Sequence, residues 1–194
     1  MFTGIIEEVG QVVAIAKEAG NIHFTIASGL SSGFKIDQSV AHNGCCLTVV
    51  AQNEHQHVVT AIHETLIKTN LGSWQIGTKV NIERCMQLGG RLDGHMVQGH
   101  VDCVGTCSEV LDENGSWRFT FQHPDTFVTV EKGSITVNGT SLTVVDAKKG
   151  SFSVCIIPYT YEHTNFQQLE VGAQVNLEFD IIGKYVARYL SLQQ

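Results

Sequence analysis

Residues 43–50 read NGCCLTVV, and residues 138–145 read NGTSLTVV. The offset of 95 residues that aligns them holds without a gap along most of the chain. Met1 meets Met96, Gly4 meets Gly99, Phe24-Thr25 meet Phe119-Thr120, Thr65 meets Thr160, and IGTKVNIE (76–83) meets VGAQVNLE (171–178). A period this long exceeds the roughly 20 to 50 residues of a solenoid repeat and suits a duplicated small domain. The chain therefore divides into a first unit over 1–95, a second over 96–183, and a tail over 184–194 with no partner in the repeat.

Each copy is written in short β-branched runs separated by turn residues. GQVVAI, NIHFTIA, SVAHNG, CLTVVAQ, HVVTAI and KVNIER give about six strands in the first copy. DENGSWRFTF adds an Asn-Gly turn followed by alternating Trp117, Phe119 and Phe121, a hairpin signal in the second. Short strands at even spacing predict a small antiparallel barrel in each half, which closes its own edges. ETLIKTNLG and YTYEHTNFQ predict one short helix per half, starting near Thr65 and Thr160. The tail carries Ile181, Ile182, Tyr185, Val186, Tyr189 and Leu190 at helical spacing. Such a helix fits either a cap on its own barrel or a contact between subunits.

Composition narrows the function. Twelve basic against nineteen acidic residues give a net charge of −7, which offers no positive field for nucleic acid or an anionic membrane. MFTGIIEEVG lacks the charged and apolar regions of a signal peptide, and no apolar run approaches a membrane span, so the expected location is cytoplasmic. Six cysteines without a C-x-x-C pair predict reduced thiols rather than disulfides or structural zinc. HET at 63–65 lacks the second histidine of H-E-x-x-H, and no nucleotide-binding or serine-hydrolase motif is present, so no metal is expected.

The two cysteines remain. Adjacent strand residues point to opposite faces, so of Cys45 and Cys46 one is packed and the other presented. Ser141 aligns with Cys46, so both halves place a nucleophile-capable atom there. A strand cysteine alone is more often a small buried hydrophobe than a reactive group; the duplicated setting is what singles this one out.

MFTGI, NGCCLTV, GHMVQGHVD, NGTSLTV, the Ile157-Pro158 to Thr160 segment and the closing NLEFDIIGKYV, in that order and spacing, resemble the riboflavin synthase family over the whole chain. The resemblance implies an all-β fold of two homologous six-stranded antiparallel Greek-key barrels plus a short C-terminal α-helix. It implies an enzyme without metal or redox cofactor that converts two molecules of 6,7-dimethyl-8-ribityllumazine into riboflavin and a ribitylamino-pyrimidinedione. It also implies a homotrimer held partly by the tail helices, sites shared between the barrels of neighbouring subunits, and lumazine synthase as a partner. A lumazine- or flavin-binding antenna protein with the same duplicated fold is the alternative; the presented thiol favours the enzyme.

By the same resemblance, one lumazine lies against Cys46, Leu47 and Thr48, with Gly4, Ile5, Ile6 and the segment Thr60, Ala61, Ile62, His63, Glu64 and Thr65 completing the first pocket. The other lies against Ser141, Leu142 and Thr143, with Gly99, His100, Val101, Lys132 and the segment Cys155, Ile156, Ile157, Pro158, Tyr159 and Thr160. The catalytic set is Cys46, His100, Ser141 and Thr143. Cys46 is expected to act through a minor thiolate fraction, and His100 to transfer protons near neutrality.

Overall fold

The alternation written in the sequence becomes burial. In Gln56–Ala61, His57, Val59 and Ala61 are buried while Gln56, Val58 and Thr60 are half-buried. The computed structural model describes residues 1–193. In the first half β1 (Glu8–Glu18), β2 (Asn21–Ala27), β3 (Ser39–His42), β4 (Cys45–Gln52), β5 (Gln56–Ala61) and β6 (Lys79–Arg84) close a barrel in the order β1-β2-β5-β4-β3-β6. In the second, β7 (Cys103–Asp112), β8 (Trp117–Gln122), β9 (Ser134–Val137), β10 (Thr140–Lys148), β11 (Ser151–Ile156) and β12 (Gln174–Phe179) repeat that order, every neighbouring pair antiparallel. Register shifts after Val12 and Val49 recur after Cys107 and Val145, bending equivalent strands where the barrels turn their corners.

The interiors are filled differently. The first barrel packs Val12, Ile26, Val40, Val49, Val59 and Ile82 with Phe24 against Trp74. The second is richer in aromatics, with Phe119, Phe121, Phe152 and Phe166 fully buried and Phe119 edge-on to Phe166 at 5.1 Å. Each such ring contributes about 1.5 to 3 kcal/mol through burial.

The helices begin earlier than the sequence predicts. α1 spans His63–Lys68 and α2 spans Pro158–His163. Pro158 takes the first turn, where its missing N–H is not needed, and the repeat gives α1 the same start. The tail helix α3 spans Ile181–Ser191 rather than starting at 184, because Asp180 caps it by accepting from the Ile182 N–H at 2.9 Å. The expected end at 194 falls on Gln194, outside the described residues. None of the apolar side chains of α3 is buried.

A buried asparagine lattice joins the barrels. Asn81 N–H donates to Asn43 Oδ1 and Asn176 N–H to Asn138 Oδ1; the side-chain amide of Asn81 then donates to the Asn138 carbonyl and that of Asn176 to the Asn43 carbonyl, both at 2.9 Å. Asn70 and Asn165, each in a short 3₁₀ turn after α1 or α2, accept the pattern from the opposite half: Asn70 N–H reaches Asn176 Oδ1 and Asn165 N–H reaches Asn81 Oδ1, both at 2.7 Å. The two Asn-Gly turns meet at its centre, where a Cβ on Gly44 would lie 2.7 Å from the Gly139 nitrogen. Buried amides satisfied this fully fix one relative placement of the halves.

Candidate active site

The amino-terminal segment and residues 95–102 form a pair of arms laid across the outer faces of the barrels. Phe2 and Val97 exchange backbone hydrogen bonds at 2.7 and 3.1 Å and bury both side chains against Ala41. Each arm is held by a carboxylate of its own barrel. Glu83 accepts from the N–H and hydroxyl of Thr3 at 2.6 and 2.8 Å and from Gly4 N–H at 3.0 Å. Glu178 accepts from Gln98 N–H at 2.7 Å and His100 N–H at 2.8 Å. Burial is the largest influence on both carboxyls and pushes their pKa up, while the donated backbone N–H groups pull it back.

The arms then cross to the other barrel. The Gly99 carbonyl accepts from Cys46 N–H at 2.8 Å, and the Gly4 carbonyl accepts from Ser141 N–H at 2.8 Å. Both glycines have φ near +80°, and a Cβ on Gly99 would sit 2.8 Å from Cys46 Cβ, so only glycine fits this approach. The pairing differs from the one the family resemblance implies, which put Gly4 with Cys46 and Gly99 with Ser141. Gly99, His100 and Val101 stand with Cys46, and Gly4 stands with Ser141, because a strand-end arm reaches across the pseudo-dyad.

Cys45, Cys46, Glu64, Thr65, Lys68, Gly99, His100, Val101 and Asp102 line an open cleft of about 410 Å³, within the size range of small-ligand sites. Cys45 points into the core and is 6% exposed, while Cys46 is half-buried on the outer face, as strand alternation requires. Burial pushes the Cys45 thiol up to about 12. It also raises Cys46, against a hydrogen bond involving Ser39, so Cys46 is a neutral thiol near pH 7 and the minor thiolate fraction expected from its type is smaller still. A larger cavity of about 570 Å³ runs along Arg84, Cys85 and the connection Gln87–Asp93; it contains Ile5 but neither Cys46 nor His100.

The other expected residues fall into two groups. Leu47, Ala61 and Ile156 are core residues and can offer only their main chain; Leu142 is partly buried against the second core. Thr48, Thr143, Ile62, His63, Cys155, Ile157, Pro158 and Tyr159 are exposed on the outer faces, and Ile6 and Thr160 are half-buried. Thr60 bonds His23 Nδ1 at 2.9 Å. Lys132 occupies a left-handed turn with φ 65°, its N–H on the Val144 carbonyl.

His95 was not among the expected residues. It is 8% exposed, with Nδ1 2.7 Å from Ser141 Oγ and Nε2 3.2 Å from Thr136 Oγ1. Burial lowers its pKa, so the neutral ring donates to one hydroxyl and accepts from the other. A serine against an imidazole is the arrangement that makes a hydroxyl reactive. The repeat could not reveal it, since an offset of 95 places its counterpart before Met1. Glu83 and Glu178 were legible as the matching final letters of KVNIE and QVNLE.

A model of the lumazine binding domain matches this chain twice, over residues 3–85 and 98–180. The riboflavin synthase of Actinobacillus pleuropneumoniae is 42% identical over 193 residues, covering 98% of this chain and 90% of that protein. The riboflavin synthase of Bacillus subtilis (strain 168) is 37% identical over the same coverage. Among solved structures, LumP complexed with 6,7-dimethyl-8-(1'-D-ribityl) lumazine has a TM-score of 0.85 at 23% identity, covering 92% of this chain and 99% of that one. LumP complexed with riboflavin has a TM-score of 0.87 at 22% identity, covering 93% and 100%; at these identities the likeness is one of fold. With the lumazine binding domain present in both halves and 37 to 42% identity to those enzymes over 98% of its length, the chain belongs to the riboflavin synthase family.

Proposed function

We propose that the protein is a riboflavin synthase, converting two molecules of 6,7-dimethyl-8-ribityllumazine into riboflavin and 5-amino-6-ribitylamino-pyrimidinedione by moving a four-carbon unit from one to the other. The observation that carries this reading is the cleft lined by Cys46 of the first half and by His100, exposed, of the second. One lumazine has to lose a proton from a ring methyl, and the other has to take a nucleophile at an electrophilic ring carbon. What one molecule gains the other gives up, so the reaction balances without an outside oxidant or reductant.

In this reading Cys46, as a neutral thiol, donates toward the bound ring or yields its proton to a base, and His100 in the same cavity is the base within reach. Thr65 and the main chain at Thr60, Ala61, Ile62, His63 and Glu64 hold the ring edge. Ser141, activated by His95, serves the second lumazine together with Thr143 and the outward-facing residues of Cys155–Thr160. Holding two identical substrates face to face supplies the entropy advantage on which such a bimolecular step depends.

The same proposal assigns 1–95 and 96–183 one lumazine each and 184–194 to assembly as a homotrimer. The apolar face of α3, with Ile182, Tyr185, Val186 and Tyr189 all more than half exposed, supports that assignment. Six free cysteines support a reducing, cytoplasmic location. The lumazine synthase partner belongs to the proposal on chemical grounds, as the enzyme whose product this one consumes. An antenna-type lumazine binder is the second reading, favoured by the LumP fold; such a protein has no use for a thiol at Cys46. Purified protein given the lumazine is expected to develop riboflavin absorbance, and Cys46→Ser to bind without turnover. Tight binding by the wild-type protein with no riboflavin formed would leave the antenna reading standing.

A further inference from the structure

The arm that carries Gly99 and His100 ends at Asp102, and Asp102 is tied to the carboxy-terminal helix. Lys184, in the first turn of α3, places Nζ 3.0 Å from Asp102 Oδ1 and 2.8 Å from Oδ2. The pair is partly shielded, with the side chains 27% and 17% exposed. Asp102 Oδ2 also accepts from Phe179 N–H at 2.8 Å, and Asp102 N–H donates to the Leu177 carbonyl at 2.9 Å. Carboxylate and backbone therefore both seat Asp102 on β12, two residues beyond His100.

The first half solves the same problem without a helix. Glu7 stands 95 residues before Asp102 and Glu83 before Glu178. Glu7 Oε1 accepts from Arg84 N–H at 2.6 Å as Asp102 does from Phe179, and its cation is the Arg84 side chain, supplied by the strand itself. In the second half the strand position holds Phe179, and the cation comes from α3. Among the described residues, the arm that lines the Cys46 cleft is tied by an ion pair to the tail helix, and the other to its own strand.

We infer that Lys184 is a positioning residue for the Cys46 cavity, its ion pair with Asp102 coupling the seat of α3 to the arm that presents Gly99 and His100. The inference rests on the reading that this cavity is where the lumazine reacts. Without Lys184, Glu178 keeps the repulsion of Asp102 and loses the one cation that offsets it. Burial already raises the Glu178 pKa, and Lys184 lowers it while Asp102 raises it. Cys45 and Cys46 are the other titratable groups that feel Glu178, and both are raised by it. Loss of Lys184 brings Glu178 to protonation at higher pH, where it accepts more weakly from Gln98 and His100 N–H and the arm loosens; loss of the Asp102 charge does the reverse to Glu178.

The test uses full-length Lys184→Met, Lys184→Arg, Asp102→Asn and the Lys184→Met/Asp102→Asn double variant, assayed for lumazine turnover from pH 5.5 to 8.5 beside light scattering. Lys184→Met is expected to lose about tenfold in kcat/KM, equivalent to about 1.4 kcal/mol, with its acid limb moved to higher pH. Asp102→Asn moves that limb to lower pH, Lys184→Arg restores most of the activity, and the double variant is no worse than the weaker single one. Acid limbs that do not move, or losses that add in the double variant, overturn the inference, as does a Lys184→Met defect that disappears at high protein concentration along with a recovered oligomer mass. Wild-type behaviour of Lys184→Met beside an inactive Cys46→Ser overturns it while leaving the site in place. An active Cys46→Ser would instead remove the site reading on which it stands.

Discussion

Acidification should unfold the first barrel well before the second. His42 and His57 are completely buried in the first, with their Nε2 atoms 2.8 Å apart; His57 Nδ1 lies 2.8 Å from Ser31 Oγ and His42 Nδ1 3.0 Å from the Val40 carbonyl. Burial, and for His42 the neighbouring His57, lower the pKa values to about 3 for His42 and about 4 for His57. Both rings are neutral when folded, whereas an unfolded histidine takes up a proton below about pH 6.5. Their contribution is therefore whole above about pH 6.5 and is lost as the pH falls toward 4 for His57 and 3 for His42. At about 1.4 kcal/mol per unit, His57 alone removes about 3 kcal/mol by pH 4, a large share of a domain's 5 to 15 kcal/mol. The raised carboxyls Glu83 and Glu178 act with the opposite sign, gaining protons on folding, but each barrel has one and they cancel in the comparison; His95, lowered by burial on Ser141 and Thr136, gives the second barrel one acid-sensitive histidine against two in the first. At offset 95 the second barrel has Val137 and Phe152 in place of the two histidines. The chain's two tryptophans serve as reporters, Trp74 in the first core and Trp117 stacked on Tyr161 in the second. In single-tryptophan variants the Trp74 signal should melt on the order of 10 °C lower at pH 4.5 than at pH 7, with a smaller change at Trp117. Replacing His42 by Val and His57 by Phe should bring the Trp74 change down to that of Trp117 or below it. Equal acid sensitivity of the two signals, or a slope that survives the double replacement, would refute the reasoning.

Other outcomes follow from the same contacts. Cys46→Ser should abolish most turnover with little change in melting temperature, whereas Cys45→Ser, which buries a hydroxyl in the first core, should cost about 1 to 3 kcal/mol in urea unfolding and little in rate. Gly99→Ala forces a Cβ against Cys46 at a positive φ and should lower both stability, by about 1 kcal/mol or more, and lumazine affinity measured by fluorescence titration. Asn81→Ala strands the Asn138 carbonyl and the Asn165 N–H in the lattice and should cost about 2 kcal/mol or more in calorimetry. Truncation after Gly183 should lower the oligomer mass in light scattering and make activity steeply dependent on protein concentration.

Much of the fold was legible because duplication wrote each strand twice, and alternation in runs such as HVVTAI fixes which residues face inward. The helix starts were missed by two or three residues because caps set them: Pro158 at one, Asp180 at another. The buried asparagines at 43, 70, 81, 138, 165 and 176 were visible as matched letters, but Asn43 sat inside the strand run SVAHNG and nothing marked any of them as buried. Nothing local to NG, TN or VN says that their side chains bond across to the other half, 57 to 133 residues away. The site was half legible. Alternation separates Cys45 from Cys46, but the exchange that puts Gly99 with Cys46 and Gly4 with Ser141 is a property of the assembled pair of barrels. His95 escaped because it lies outside the repeat.

In the proposed reaction each half holds one lumazine and the two react together. Quenched samples of purified protein with 6,7-dimethyl-8-ribityllumazine, quantified by chromatography, test it directly. Two lumazines should disappear for every riboflavin formed, with one pyrimidinedione released. A ratio of one to one, or lumazine that stays bound and unchanged, would contradict it.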